Sequence, residues 1–421
     1  MLTRGPRMPL TIVCFSSQPW EDRMWTNKHH IMARLAKQHR VVFVNFRQGS
    51  PLKFVRGARL ADPGTRVRLG NLWREPALRR VPEGLEVLDV WVPWLNFVGS
   101  GHVLRRSNEF EHRVNVVGHW LAQQGITDSV LWVYHPGYGD TVARIPHSLI
   151  VYDCVDEYTA FPEFRRAKAW IAERERKLCA VAGVVACTAP SLYESKQALA
   201  PGRTHFVHNV GDAAHFEQAL DPDFPVADDV ANLPRPVIGF IGAVSDYKLN
   251  IDWLLHLSKA RPHFSVVLVG PTGVADPSTD VGTLKAQPNV HLLGHRNYEQ
   301  LPSYLKGFSV AVIPYRINDY TRAVFPIKFF EFLASGKPVV ISALPAVKEY
   351  WGAVRVADSA EAFVAACDAA LASDPPEARQ QRIELARQNN WDSRVNKLLN
   401  LVLSALPSTE SRRLAVPAKA P

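Results

Sequence analysis

FPIKFFEFLASGKPVV, residues 325–340, is the stretch of sequence that decides the fold. It lies between two apolar runs, VAVIPY (310–315) and PVVISA (338–343), which are typical of buried parallel strands. Pro326 near its start and Gly336 near its end follow the start and stop rules of a helix. The segment therefore predicts a strand–helix–strand unit whose helix begins at the carboxyl end of a strand.

The first turn of this helix carries Lys328, and Glu331 follows one turn later. A helix N-terminus presents unpaired N–H groups and a partial positive charge, so it suits a diphosphate, and a cation there is unfavourable unless an anion lies beside it. A carboxylate one turn on can accept hydrogen bonds from both hydroxyls of a ribose. An ordinary amphipathic helix with a solvated Lys–Glu pair explains the same residues equally well. The segment alone leaves both interpretations open.

Strand and helix patterns alternate on both sides of this segment, as they do in doubly wound parallel sheets. The buried runs of the first half are TIVCF (11–15), VVFVNF (41–46), LEVLDVWV (85–92), VLWVYH (130–135), LIVYDCVD (149–156), GVVACTA (183–189) and THFVHN (204–209). Those of the second half, besides the two flanking runs, are VIGFIGA (237–243), FSVVLVG (264–270), NVHLLG (289–294) and AVRVA (353–357). We predict two α/β halves, with a ligand cleft at the carboxyl ends of their strands.

Positive charge is concentrated in one segment of a chain whose net charge is +9. Residues 53–80 hold eight basic residues, two acidic residues (Asp62 and Glu75) and Trp73. One interpretation is a solvated surface loop, and the other is a surface that meets an anionic membrane or a phosphorylated lipid. No recognised nucleic-acid module accompanies the charge, so we expect no nucleic-acid partner.

The remaining composition favours the cytoplasm. The five cysteines are scattered without CxxC spacing, which indicates reduced core residues. No apolar run reaches the roughly 18–20 residues of a membrane helix, and TIVCF is too short for a signal peptide, so we interpret residues before it as a disordered lead-in. His29 and His30 are interpreted as surface residues of the first helix, and no His/Asp/Glu cluster has metal-ligand spacing.

Several stretches together resemble one enzyme family. IPYRINDYTRAVFPIKFFEFLASGKPVVIS (313–342) resembles the nucleotide-binding segment of the retaining, family-four-like glycosyltransferases (glycosyl transferases group 1), whose Pro, Lys, Glu and Leu-Ala-x-Gly-x-Pro-Val-Val pattern is matched from Pro326 to Val340. Further resemblances lie in the strands and helix of 289–315, the loop IGAVSDYK (241–248), the linker HNVGDAAHF (208–216) and the helix WDSRVNKLL (391–399). The resemblance implies the GT-B fold, in which two Rossmann-like doubly wound parallel-sheet domains face a central cleft.

The resemblance also implies a division of the chain into domains. We expect a first, acceptor-side domain at 1–205 and a nucleotide-sugar-binding domain at 206–388. A helix at 389–406 is expected to cross back onto the first domain, and a disordered tail follows at 407–421.

By the same resemblance, the donor site lies in the second domain. Glu331 would hold the donor ribose, and Lys248 would neutralise the phosphate of the departing nucleoside diphosphate. The loop with His295 and Arg296 would face the base. The expected donor-binding residues are Gly242, Lys248, His295, Arg296, Arg322, Pro326, Ile327, Lys328 and Glu331.

The first domain is expected to contribute to the sugar side of the cleft. His135, in VYHPGYG, would face the donor sugar and is the third expected catalytic residue beside Lys248 and Glu331. Asp153 and Asp156 would contact sugar hydroxyls or the acceptor. The alternatives are a strand-end cap for His135, helix N-caps for the two aspartates and an ordinary surface lysine for Lys248.

Two positions depart from the family pattern. Ala323 stands where many relatives have a second glutamate that contacts the donor sugar, and Ala243 stands where an arginine is usual. The common phosphate-binding Arg/Lys pair is thereby reduced to Lys248, with Arg322 and Lys328 as the candidates that add charge at the diphosphate.

The function implied is that of a metal-independent, retaining hexosyltransferase that needs no cofactor. It would move a sugar from a UDP- or GDP-linked donor to a glycan or lipid-linked acceptor in cell-surface polysaccharide biosynthesis, and the basic segment 53–80 would dock it on the inner face of the cytoplasmic membrane. One alternative is a sugar-nucleotide 2-epimerase of the same fold, although the sequence assembles no suitable set of acid/base residues. The other is a non-catalytic sugar-nucleotide-binding partner subunit, which Ala243 and Ala323 favour.

Overall fold

The structure is a computed structural model that describes residues 9–22, 25–49, 76–93, 102–273, 276 and 278–407. The predictions for the N-terminal lead-in, for residues 53–75 of the basic segment and for the tail beyond residue 407 lie outside the described residues. None of the described helices combines the length and the apolar composition that a membrane-spanning segment requires. All five cysteines are buried and free, as predicted.

The first half of the chain forms an eight-stranded sheet of order β3-β4-β2-β1-β5-β6-β7-β8. Its strands are β1 (Thr11–Phe15), β2 (Arg40–Gly49), β3 (Ala77–Arg80), β4 (Glu86–Pro93), β5 (Val130–Val133), β6 (Leu149–Cys154), β7 (Val184–Cys187) and β8 (Thr204–Phe206). Its longer helices are α1 (Asn27–Leu35), α2 (His102–Gln123), α3 (Lys168–Val181) and α4 (Pro190–Leu199). Neighbouring strands are parallel except for the antiparallel pair of β3 and β4.

The second half forms a six-stranded parallel sheet of order β11-β10-β9-β12-β13-β14. Its strands are β9 (Val237–Ile241), β10 (Ser265–Val269), β11 (Val290–Gly294), β12 (Val310–Ile313), β13 (Val339–Ser342) and β14 (Arg355–Ala357). Its longer helices are α5 (Ile251–Ala260), α6 (Leu301–Gly307), α7 (Ile327–Ala334), α8 (Ala360–Ala372), α9 (Pro376–Gln388) and α10 (Trp391–Ala405). The β-branched runs fill both sheets because helices cover both faces of each.

Helix α10 packs against the first sheet although it follows the second sheet in the chain. Its apolar face joins a core cluster that also contains Ile12 of β1 and Ile31 of α1. The ring of Trp391 stacks on that of His30 at 4.5 Å, and Arg394, 2 % exposed, lies 3.5 Å from the carboxylate of Asp153. The described part of the chain thus ends on the half where it began.

Two features of the first half differ from expectation. The end of the basic segment is not a loop but the edge strand β3, in which Arg79 donates a hydrogen bond to Asp89 at 3.0 Å. His29 and His30 are buried rather than exposed, because the rings of Trp20, Trp25 and Trp391 pack around them. Periodicity alone did not show that α1 lies between the sheet and another helix.

Candidate functional site

A cavity of about 870 Å³ lies between the two halves, at the carboxyl ends of their strands. The first half contributes His135, which follows β5, and Asp156, which follows β6. The second half contributes Gly242, which follows β9, together with Lys248 and the start of α7. Open α/β sheets bind ligands at this edge, so the cavity is the candidate active site.

Helix α7 has the strand–helix–strand setting that the sequence predicted. Pro326 is its N-cap, and Gly336, with φ of 68°, follows its C-cap. Five of its apolar residues, from Phe329 to Ala334, are buried in the core, whereas Ile327, Lys328 and Glu331 line the cavity. Local sequence signals therefore determine how this helix faces the cleft.

Glu331 is a buried carboxylate that faces the cavity, with 8 % of its surface exposed. Within the described part of the chain, no group donates a hydrogen bond to it. Loss of solvation raises the pKa of Glu331 to about 7, although the positive charge of Lys328 acts to lower it. A ligand with two adjacent hydroxyls would supply the hydrogen bonds that this carboxylate lacks.

Lys328 and Lys248 bring positive charge to the same wall. The side chain of Lys328 crosses directly over Gly242, where an added Cβ would collide with its Cε atom. The Nζ atom of Lys248 lies 4.9 Å from the centre of the Tyr315 ring. Burial lowers the pKa of Lys248, while the charge of Asp156 raises it. Both lysines line the cavity, as an anionic ligand requires.

The loop after β11 forms one end of the cavity through His295 and Arg296. The guanidinium of Arg296 is held by Asp229 at 2.7 Å and by the hydroxyl of Tyr304 at 2.5 Å. Gly294, with φ of 71°, allows the turn that presents the loop. Because the arginine is already paired, the loop offers the cavity mainly its backbone and the His295 ring.

His135 both caps the turn after β5 and lines the cavity. Its Nδ1 atom accepts a hydrogen bond from the backbone N–H of Gly137 at 2.9 Å, so it does cap the turn after β5. Its ring also lines the cavity, where it packs on Phe110 at 4.9 Å and on Tyr158 at 4.6 Å. The cap fixes the ring in place at the cleft.

The two aspartates after β6 have different surroundings. Asp153 is fully buried outside the cavity, beside Arg394 and the indole N–H of Trp132 at 3.4 Å, so it holds α10 rather than a ligand. Asp156 lines the cavity, and the hydroxyl of Tyr320 donates to it at 3.4 Å. Burial raises the pKa of Asp156 to about 6, although Lys28 and Lys248 oppose that shift. Neither is a helix N-cap, because Glu157 caps the turn that follows.

Arg322 is the one expected donor-binding residue that does not line the cavity. It ends the short helix Asp319–Arg322 and is exposed, whereas Tyr320 of the same turn points into the cleft. A turn of helix cannot direct both side chains to one side. All the other expected donor-binding residues, and His135, lie around the cavity.

The cavity residues that sequence reasoning missed include Lys28, Arg113 and Tyr320. A signal existed for Lys28, because it is a lysine in the first turn of a helix, as Lys328 is. Arg113 and Tyr320 reach the cavity through tertiary packing that has no local signature. The described residues contain no group of three or more His, Cys, Asp or Glu side chains arranged to hold a metal ion.

Residues 235–373 match the family model described as Glycosyl transferases group 1, and this range runs from the start of β9 to the end of α8. A protein of Bacillus subtilis described as the teichuronic acid biosynthesis glycosyltransferase TuaH is 28% identical over 277 residues, which cover 62% of this chain and 68% of that protein.

Solved structures agree with these matches at the level of the fold. The trehalose 6-phosphate synthase of Burkholderia multivorans aligns with a TM-score of 0.67 at 14% identity, over 94% of this chain and 99% of that one. The sucrose-phosphate synthase of Thermosynechococcus elongatus aligns with a TM-score of 0.66 at 15% identity, over the same shares of the two chains. The family match, the relative and the fold together indicate a glycosyltransferase with the GT-B fold, whose residues 235–373 are similar to glycosyl transferases of group 1.

Proposed function

We propose that the enzyme transfers a sugar from a UDP- or GDP-linked donor to a glycan or lipid-linked acceptor during assembly of a cell-surface polysaccharide. The observation that carries the proposal is the start of α7, where Lys328 and the hydrogen-bond-deficient Glu331 face one cavity. The polysaccharide named for the Bacillus subtilis relative supports the acceptor class. An Escherichia coli protein of the same fold, aligned with a TM-score of 0.66 at 11% identity, is described as bound with UDP-2-fluoro glucose, which supports the donor class.

In this proposal the second half binds the nucleotide. Glu331 accepts hydrogen bonds from the ribose hydroxyls, and the loop at His295 and Arg296 faces the base. The diphosphate lies against Lys248, Lys328 and the free N–H groups of α7. As the glycosidic bond breaks, negative charge accumulates on the leaving diphosphate, and preoriented cations in a water-poor cleft stabilise it. We therefore propose that transfer needs no metal ion.

The sugar would lie between that diphosphate and the first half, next to His135 and Asp156. Their proximity to the cavity supports this placement, and Ala323 adds no charged contact from the other side. From the family resemblance we propose that the anomeric configuration is retained. NMR of the first-formed product would show the anomer directly, and inversion would disprove retention.

The division of the chain at residues 205 and 206, with a helix at 389–406 that returns to the first domain, is likewise our proposal. Strand β8 of the first sheet ends at Phe206, so the first domain extends at least one residue beyond the expected boundary. The contacts of α10 with the cluster around Ile12 and Ile31 support it. A cleft between two such domains can close on its donor, which positions the reacting groups and excludes water.

We propose further that the basic segment 53–80 attaches the enzyme peripherally to the inner face of the cytoplasmic membrane. Its basic residues support this, since each contributes about 1 kcal/mol near an anionic surface; of the eight, Arg79 is already paired with Asp89. Replacing the arginines at 56, 59, 66 and 68 by glutamate should abolish sedimentation with phosphatidylglycerol vesicles. Undiminished sedimentation would disprove the attachment.

Incubation of the protein with radiolabelled UDP- and GDP-sugars tests the main proposal. A transferase without acceptor should hydrolyse its donor slowly and release a nucleoside diphosphate. Release of an epimerised free sugar would instead indicate an epimerase, and binding without turnover a non-catalytic partner subunit. Failure to bind any nucleotide would exclude the donor site.

A further inference from the structure

Lys28 is a cation of the first half that no expected role explains. It is the second residue of α1, it is 5 % exposed, and it lines the cavity. Its Nζ atom donates hydrogen bonds to the amide oxygen of Gln18 at 2.7 Å and to the hydroxyl of Thr26 at 3.2 Å. Both partners are neutral, so they orient the ammonium group without neutralising it.

Among the described residues that line the cavity, carboxylates are fewer than lysines and arginines. Of these carboxylates, Glu109 is ion-paired with Arg113 and Glu331 interacts with Lys328. Asp156 therefore faces two buried cations, Lys28 and Lys248, one from each half. Burial lowers the pKa of both lysines, and for Lys28 the charges of Asp156, Asp153 and Asp22 oppose this shift without cancelling it. An anionic ligand bound between the halves, in addition to the carboxylate of Asp156, would compensate the charges of the two lysines.

Helices α1 and α7 approach the cavity in the same way from opposite sheets. Each has a lysine as its second residue, at positions 28 and 328, and neither has an acidic residue in its first turn. A cation at this end of a helix is unfavourable on its own. Because two helices from different sheets each place a lysine at the same cavity, we infer that both lysines face one anionic ligand.

We propose that Lys28 binds the diphosphate of the donor from the first half, and so supplies the second phosphate-binding cation that Ala243 does not provide. The inference rests on the proposed nucleotide-sugar donor. The diphosphate would then be contacted by a lysine of each half, Lys28 and Lys248, with Asp156 between them. Donor binding would thereby link the two halves directly.

The test compares a nucleoside diphosphate with its nucleoside. Calorimetric titrations would use whichever of UDP and GDP binds the wild type better, and then uridine or guanosine. Lys28→Met should weaken binding of the diphosphate about tenfold or more, because a charge-assisted contact is lost, and should leave binding of the nucleoside within about twofold of wild type. Lys28→Arg should retain most of the affinity.

Lys37→Met is the matched control, because Lys37 is exposed just beyond the other end of α1 and does not line this cavity. If circular dichroism shows that Lys28→Met is unfolded, Lys28→Gln keeps a polar chain beside Gln18 and serves in its place. Equal losses for diphosphate and nucleoside, or no loss for either, would overturn the role of Lys28. If the wild type binds no nucleoside diphosphate, the proposed donor site fails as well, so the two failures are distinguishable.

Discussion

Helices α1 and α7 begin at the same cavity with the same lysine, but they differ one turn later. Three residues after Lys328 comes the cavity-facing Glu331, whereas three residues after Lys28 comes Ile31, which is fully buried in the core of the first half. Both helices place a lysine at the cavity, but of the two only α7 also brings a carboxylate to it. The difference supports the proposed placement of the nucleoside in the second half, with the phosphates and the sugar towards the first half.

The largest effect is expected from removing the ion pair that holds α10 on the first sheet. Arg394 of α10 is buried with Asp153 and donates to the backbone oxygen of Val207 at 2.8 Å. Arg394→Met leaves a buried carboxylate unpaired, so the free energy of unfolding measured in urea should fall by about 3–5 kcal/mol. The exposed Lys397→Met, on the same helix, should change it by less than about 1 kcal/mol. Adding Asp153→Asn should recover part of the loss, and no recovery would contradict the pairing.

The second effect concerns the residue that distinguishes the two helices. In the proposed site Glu331→Gln removes a charged acceptor of ribose hydroxyls, so affinity for the nucleoside should fall about ten- to hundredfold. Fluorescence or calorimetric titration with the nucleoside alone measures this without any phosphate contribution. Glu361→Gln, an exposed carboxylate on α8, is the control and should bind as wild type does. Unchanged affinity in Glu331→Gln would show that the nucleoside does not bind at α7.

The pH dependence of nucleoside binding should reveal the ionisation of Glu331 in the wild-type protein. The pKa of Glu331 in the empty site is raised to about 7, and the ionised form is the one that accepts hydrogen bonds from hydroxyls. Below that value binding must first remove a proton, so nucleoside affinity should rise about tenfold from pH 6 to pH 8 and then level off. The profile of Glu331→Gln should be flat over this range. A fall in wild-type affinity from pH 6 to pH 8 would show that the nucleoside does not bind to the ionised form of Glu331.

The smallest effect is expected at Lys328. This lysine is more exposed than Lys28, so solvent and salt screen its charge more strongly. Lys328→Met should weaken binding of the nucleoside diphosphate by about three- to fivefold, less than Lys28→Met does. Raising the salt concentration should reduce the Lys328 effect more than the Lys28 effect. A larger loss at Lys328 would show that the buried lysine is the lesser contact.

The success of sequence reasoning differs between these two helices for a physical reason. Helix α7 is defined by local signals, namely Pro326, Gly336 and the spacing of Lys328 and Glu331, so its strands, its ends and its place at the cavity were predictable. Helix α1 carries its lysine among buried histidines, and only the packing of α10 shows that this face is interior. Its role could not be predicted from a pattern of neighbours along the chain.

The same distinction explains the individual errors. Arg322 was a candidate for the diphosphate site, but the short helix that ends at Arg322 directs Tyr320, and not Arg322, into the cavity. Asp153 and Asp156 are equally acidic and three residues apart, yet one lies beside Arg394 and the other beside two lysines. Charge and sequence position gave the candidates, while the direction of each side chain depends on tertiary contacts.

The return of α10 to the first sheet affects how this protein can fold during its synthesis. The core around Ile12 and Ile31 includes Trp391, Val395, Leu398 and Val402, and β8, the last strand of that sheet, already ends at Phe206. At about 5–20 residues per second, the ribosome needs roughly ten to forty seconds to reach α10 after that strand. During this interval the first half has an uncovered apolar face, so its native core is completed only after the second half has been made. A nascent chain of this protein is therefore expected to depend on a chaperone that covers that face.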